Sequence, residues 1–144
     1  MNIRALENWI RGELRRMGVA PLPLATGPDS VESMRAAYSA CLRTGRMAIW
    51  SGGSDRTIYS GPAANYAFRA LHDIQHAESG SDFTLHGERD ASAEFVGRLP
   101  NRLRRRFGPI LRAEIYGQAE LAVATGTFAA DQIAFDIRYM ARGF

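Results

Sequence analysis

Apolar residues recur every three to four positions along most of this chain of 144 residues, and glycine or proline ends each run. That period belongs to helices that bury one face, so it restricts the fold to a mainly helical class. Ile3, Leu6, Ile10, Leu14 and Met17 mark an amphipathic helix over residues 2–17, closed by Gly18. Ser30 caps a second, carrying Val31, Met34, Tyr38, Cys41 and Leu42. Ser60 and Pro62 open a third, which Gly80 closes. Residues 88–98 and 101–106 read as helices interrupted by Pro100; Pro109 opens another over 109–124, and the last spans 129–141.

Two segments depart from the period. "APLPLATGP" reads as a Pro/Gly-rich connector. Met47–Trp50 and Thr57–Ser60 are short β-prone runs around a Gly/Ser/Asp turn, which predicts a β-hairpin over 47–60. Its exposed tip, "SGGSDR", is a candidate lid. The expected architecture is a single-domain bundle over 1–144, of about six helices with one small hairpin. Its parts are the N-terminal helices (2–44), the hairpin (47–60) and a helical region (61–144).

Composition narrows the class. Hydrophobic residues make up 46% and charged residues 23%, enough for a core and too apolar for a disordered chain. No apolar run approaches the roughly 20 residues of a membrane span. The N-terminal stretch carries charges throughout and lacks the apolar core of a signal peptide. The single cysteine, Cys41, cannot form an internal disulfide. A cytoplasmic location and no membrane partner are expected.

Net charge is +3, and all 18 basic residues are arginine. Codon bias in a GC-rich genome would produce this alone; arginine also suits phosphate recognition, because its planar fork bonds two oxygens at once. The densest cluster runs from Arg98 to Arg112, with Arg102, Arg104, Arg105 and Arg106 at its centre. It is either a solvated helix face or a nucleic-acid contact, with Trp50 or Tyr116 as stacking partners.

The chemistry concentrates in "NYAFRALHDIQHAESG". Asn65, Arg69, His72 and His76 are spaced 4, 3 and 4, so they form one polar stripe on the third helix. Histidines at i and i+4 can direct ring nitrogens at one metal ion, as in the helical H-E-x-x-H motif. Here the pattern is H-D-x-x-H, and Asp73 is one methylene shorter than glutamate. Further ligands must come from downstream. Glu88 starts a helix, Glu114 and Gln118 share a helical face, and Gln132 lies in the last helix. If these faces converge, His72, His76, Glu88 and Glu114 make a site for a divalent metal, zinc first, with iron or manganese as alternatives. His86, in a loop, is a weaker ligand candidate. The competing interpretation is a hydrogen-bonded network that only rigidifies a core.

The combination resembles an uncharacterised family of phage and mobile-element proteins, also found as domains of large phage polypeptides. The matching pattern is N-x-x-F-R-A-x-H-D-x-x-H (Asn65 to His76), then G-E-x-x-A (Gly87, Glu88, Ala91), E-x-x-G-Q (Glu114, Gly117, Gln118) and F-x-x-x-Q-x-x-F (Phe128, Gln132, Phe135). It covers roughly residues 60–140. Members often carry an aromatic and a glycine between the histidines, where this chain has Ile74 and Gln75. The resemblance implies Glu88, Glu114 and Gln118 as companions of the histidines and a host-cytoplasmic location, but no reaction.

Three functions fit. The first is a metal-dependent hydrolase: His72, His76, Glu114 and Glu88 bind the ion, Glu88 or Asp73 assists catalysis, and Arg69 holds an anionic, phosphate-containing or other small substrate. The HD class of phosphohydrolases needs an upstream histidine, and none precedes His72. The second is a nucleic-acid-binding or anti-defence module acting through Arg98–Arg112. The third is a virion structural protein in which the polar cluster only fixes the fold. No G-x-S-x-G elbow or P-loop is present.

Overall fold

The computed structural model describes residues 2–143. Its elements are α1 (Arg4–Met17), β1 (Ala20–Leu24), α2 (Val31–Thr44), β2 (Arg46–Trp50), α3 (Pro62–Ser79), α4 (Leu85–Arg98), α5 (Asn101–Arg112), a π-helical segment (Ala113–Gly117), α6 (Gln118–Thr125) and α7 (Gln132–Ala141). The mainly helical class with one small sheet stands. Contacts group Met1–Asp55 with Tyr59–Gly80 as one compact unit, and Arg56–Ile58 with Ser81–Phe144 as another. Among the described residues, no helix is long and apolar enough to cross a membrane.

In the first unit, α1 buries Leu6, Ile10 and Leu14. Its carboxylate Glu7 is also buried and accepts hydrogen bonds from Ser60 N–H (2.6 Å) and Oγ (2.9 Å), just ahead of α3. Ser30 caps α2 as expected, in a reciprocal box with Ser33. Gly18 and Gly45 close α1 and α2 in left-handed backbone (φ 70° at both), where a Cβ would be strained.

The hairpin over 47–60 does not form. β2 pairs instead with β1, in parallel, with Ala20 opposite Arg46 and Leu24 opposite Trp50. The strand lies inside the stretch that reads as a connector, and residues 57–60 form no strand. The prolines hide β1 in the sequence but do not prevent it. Ala20 N–H donates to Gly45 O and Leu24 O accepts from Ser51 N–H, so alternate residues bond toward β2. Pro21 and Pro23 fall between them and need no N–H on the outer edge. With α2 as the crossover, the unit is β-α-β. Met47 and Ile49 are fully buried while Arg46 and Trp50 are exposed, and α3 packs on both strands.

In the second unit, Thr84 caps α4 by accepting from Gly87 N–H (3.1 Å), so the helix starts three residues before the expected 88. A Cβ on Gly87 would stand 2.2 Å from Asp82 O, so only glycine lets the 82–84 turn lie against the first turn of α4. The helices expected over 101–106 and 109–124 are one continuous run from 101 to 125. Pro109 sits inside α5 at an exposed position and does not break it, and the π segment follows one turn later. Asp131 caps α7 through Ala134 N–H (3.0 Å), so that helix starts at 132 rather than 129.

Candidate metal centre

The polar stripe of α3 exists, and its two halves do different work. At the N-terminal end, Asn65 is buried and donates through Nδ2 to Ser54 Oγ (3.0 Å). Arg69 donates to the carbonyls of Trp50 and Gly52 (both 2.6 Å) and of Gly53 (3.4 Å). Its guanidinium lies over the Trp50 ring at 5.1 Å. These contacts hold residues 50–54 against α3, and Ser54 is itself buried. The tip is therefore a pinned loop rather than a free lid, held by the bonds from Arg69 to its backbone carbonyls.

At the C-terminal end the stripe is a histidine pair. His76 is fully buried and His72 half-buried. Their Nε2 atoms stand 3.2 Å apart, with the rings edge to face at 76°. Phe68, one turn earlier, stacks on His72 at 5.7 Å and 5°, and Tyr59 stacks on Phe68 at 5.1 Å. The i, i+4 series Phe68, His72, His76 orients the first imidazole with an aromatic ring and leaves its Nε2 facing the second. Two imidazoles so placed have two options. One donates N–H to the other, or both present lone pairs to a third body. Two nitrogens at 2.0–2.1 Å from a tetrahedral zinc lie about 3.3 Å apart, close to the separation here.

Among the described residues, His72, His76 and Glu88 form a group in which one ligand atom from each lies within 4.8 Å of the others, a set that can hold a metal ion. Glu88 is half-buried in the first turn of α4. A first-turn carboxylate also suits the helix dipole. His86 is outside the group; its largely exposed ring lies 3.3 Å from Asp90. Asp73, half-buried, follows His72 about 100° further round the helix and is not a member of the group either.

Glu114, expected as a ligand, is not in that group. It is buried in a second polar cluster with Gln118 and Asp136. Gln118 Nε2 donates to Asp136 Oδ1 (3.2 Å), and Gln118 Oε1 accepts from Ala129 N–H (3.3 Å). Asp136, with no exposed surface, is also hydrogen bonded to Glu114; burial pushes its carboxyl up to about 6, against bonds to Glu114 and Gln118 that lower it. Gln132 is buried, and its backbone N–H donates to Arg56 O (3.1 Å). Asp136 is absent from the residues that the sequence singles out. A signal for it exists: Gln132 and Asp136 are four apart, as Glu114 and Gln118 are, so each helix offers an amide and a carboxyl on one face.

The expected stacking aromatics have partners within the chain. Arg89 lies over the Tyr116 ring at 5.2 Å and donates to its hydroxyl (3.0 Å), while Arg69 occupies a face of Trp50. Of the four central arginines, Arg104 donates to Gly97 O (2.6 Å) and Leu99 O (3.1 Å), and so closes α4. No protein-family model, curated protein or solved structure matches the chain.

Proposed function

We propose that the protein is a metal-dependent hydrolase whose divalent cation, zinc in the first instance, is held by His72, His76 and Glu88. The observation that carries this reading is the 3.2 Å separation of the two Nε2 atoms, with a carboxylate oxygen inside the same 4.8 Å group. Two histidines and one glutamate, leaving a further position open, form the ligand set of catalytic rather than structural zinc. A bound divalent cation would supply Lewis acidity toward a phosphoryl or carbonyl oxygen.

The chain's own residues have separable roles. His76, fully buried, fixes one donor in a dry environment, and Phe68 fixes the ring plane of His72. Asp73 is the remaining carboxylate of the H-D-x-x-H motif and is assigned to orienting a histidine or accepting a proton from water. Arg69 positions the 50–53 loop. The phage-family resemblance points to the same histidines and Glu88 and supplies no reaction; a phosphate ester is the proposed substrate class, with a carboxylic ester or amide as the alternative that the same ligand set serves.

The test is elemental analysis of the untagged wild-type protein and of His72→Ala and Glu88→Gln, followed by assay on bis-p-nitrophenyl phosphate. About one equivalent of metal in the wild type is expected. Loss in both variants, with parallel loss of turnover, supports the reading. No metal taken up on addition to the wild type would overturn it and leave the histidines as a hydrogen-bonded pair.

A further inference from the structure

We propose that the arginine face of α5 binds the phosphate backbone of duplex DNA, through Arg102, Arg105 and Arg106. This inference rests on one helix and does not depend on the metal site.

α5 has the sequence NRLRRRFGPILR, with five arginines and no acidic residue. Its apolar side is fixed, since Phe107, Gly108, Ile110 and Leu111 are buried. Arg102, Arg105 and Arg106 are exposed, at i, i+3 and i+4, and so share one face. Arg104 is different, because it is spent on the carbonyls that end α4. Arg102 and Arg105 have no hydrogen bond or ion pair among the described residues, and Arg106 only lies over the ring of its neighbour Phe107 at 5.2 Å.

Folding does not account for this arrangement. Cations in the first turns of a helix oppose its dipole, and a surface helix normally offsets like charges with acidic partners at i, i+4. α1 shows that alternative: its four arginines are interspersed with Glu7 and Glu13, and Arg16 pairs with Glu13. On α5 the charge is left uncompensated and held on a rigid support.

The chemistry complementary to three fixed guanidinium groups is a row of phosphates, each able to accept two N–H groups. The 1.5 Å rise sets Arg102 and Arg106 about 6 Å apart along the axis, so they can serve separate phosphates. A single strand would call for exposed aromatic rings on which bases stack. Phe107, the one aromatic residue of α5, is fully buried. The surface therefore fits a backbone with its bases turned inward, as in a duplex.

The experiment is fluorescence anisotropy of the full chain with a labelled 20-base-pair duplex over a salt series. For three neutralised phosphates, a plot of log affinity against log salt should have a slope of about −2.7, an affinity loss of about 40-fold between 50 and 200 mM salt. The variant R102E/R105E/R106E should lose at least about ten-fold at the lower salt, while R102K/R105K/R106K keeps most of the slope. R4E/R11E/R15E, on exposed positions of α1, makes the same charge change and should stay within about three-fold of wild type. Circular dichroism of each variant checks the fold. Equal losses in both glutamate variants would reduce the effect to net charge and overturn the assignment. So would a single strand binding more tightly than the duplex. Displacement by polyglutamate of matched charge would also overturn it, in favour of an acidic protein partner.

Discussion

The histidine pair of α3 and the carboxyl cluster around Asp136 are both polar groups placed in the interior, and they are built from different chemistry. The histidine pair of α3 sets two ring nitrogens face to face, so that one donates to the other or both present lone pairs to a third body. The carboxyl groups of Glu114 and Asp136 are buried with Gln118, whose amide donates to Asp136. Both use i, i+4 spacing within a helix. The difference is in the atoms that converge: two ring nitrogens in one, carboxyl and amide groups in the other. Burial of a polar group alone therefore does not mark a candidate site; convergence of metal-ligating atoms is the further sign.

The largest expected effect separates the clusters directly. Asp136→Ala strands Glu114 and Gln118 in the interior and should lower unfolding free energy by about 2–4 kcal/mol in urea denaturation, leaving metal stoichiometry unchanged. His72→Ala should do the reverse, abolishing metal uptake at much smaller cost in chelator. Loss of metal in Asp136→Ala as well would break the distinction.

The second prediction uses pH. A folded-state value of about 6 for Asp136, against an ordinary 3.8, means that the native protein holds this proton more tightly than the unfolded chain. Its contribution is therefore complete below the unfolded value near 3.8 and disappears as pH rises through about 6. Measured in chelator, stability should fall by up to about 3 kcal/mol across that window. Asp136→Asn, which cannot ionise, should flatten the profile. A slope that survives in Asp136→Asn would place the proton elsewhere.

Metal supplies the third. Zinc at one hundred times its dissociation constant should stabilise the wild type by about 2.7 kcal/mol and His76→Ala by nothing. Equal stabilisation of both would move the ion away from the histidines. Fourth, Arg69→Ala releases three backbone carbonyls and the Trp50 ring. It should cost about 1–2 kcal/mol and expose 50–55 to limited proteolysis, while metal content holds. The smallest effect belongs to α5: Arg102→Glu relieves a charge at the positive end of the helix and should raise stability by about 0.5 kcal/mol, read from the thermal midpoint.

The histidine half of the site is legible in the sequence because it is local. A spacing of four on a helix fixes that His72 and His76 are neighbours, whatever else the chain does. Asn65 and Arg69 fall on the same stripe for the same reason. Their partners are not legible, since Ser54 and the 50–53 carbonyls lie 11 to 19 residues away on a loop of irregular backbone. Spacing likewise leaves open the choice between Glu88 and Glu114. Both start or sit in helical segments with the correct charge, and only packing decides which carboxylate meets which partner.

What this sequence determined alone is the helical period, the glycine and serine caps and the spacing of the histidines, all of which depend on contacts within a turn or two. Strand pairing was decided by tertiary structure. β1 carries two prolines and has no local strand signal, and it exists because alternate backbone groups face β2 after α2 has carried the chain back. Pro109 reads as a boundary and is an interior residue, because the buried side of the 101–125 run outweighs one lost backbone bond. Local spacing fixes which side chains share a face; which faces meet depends on non-local burial and hydrogen bonding, and those set the partners of Glu114 and Asp136.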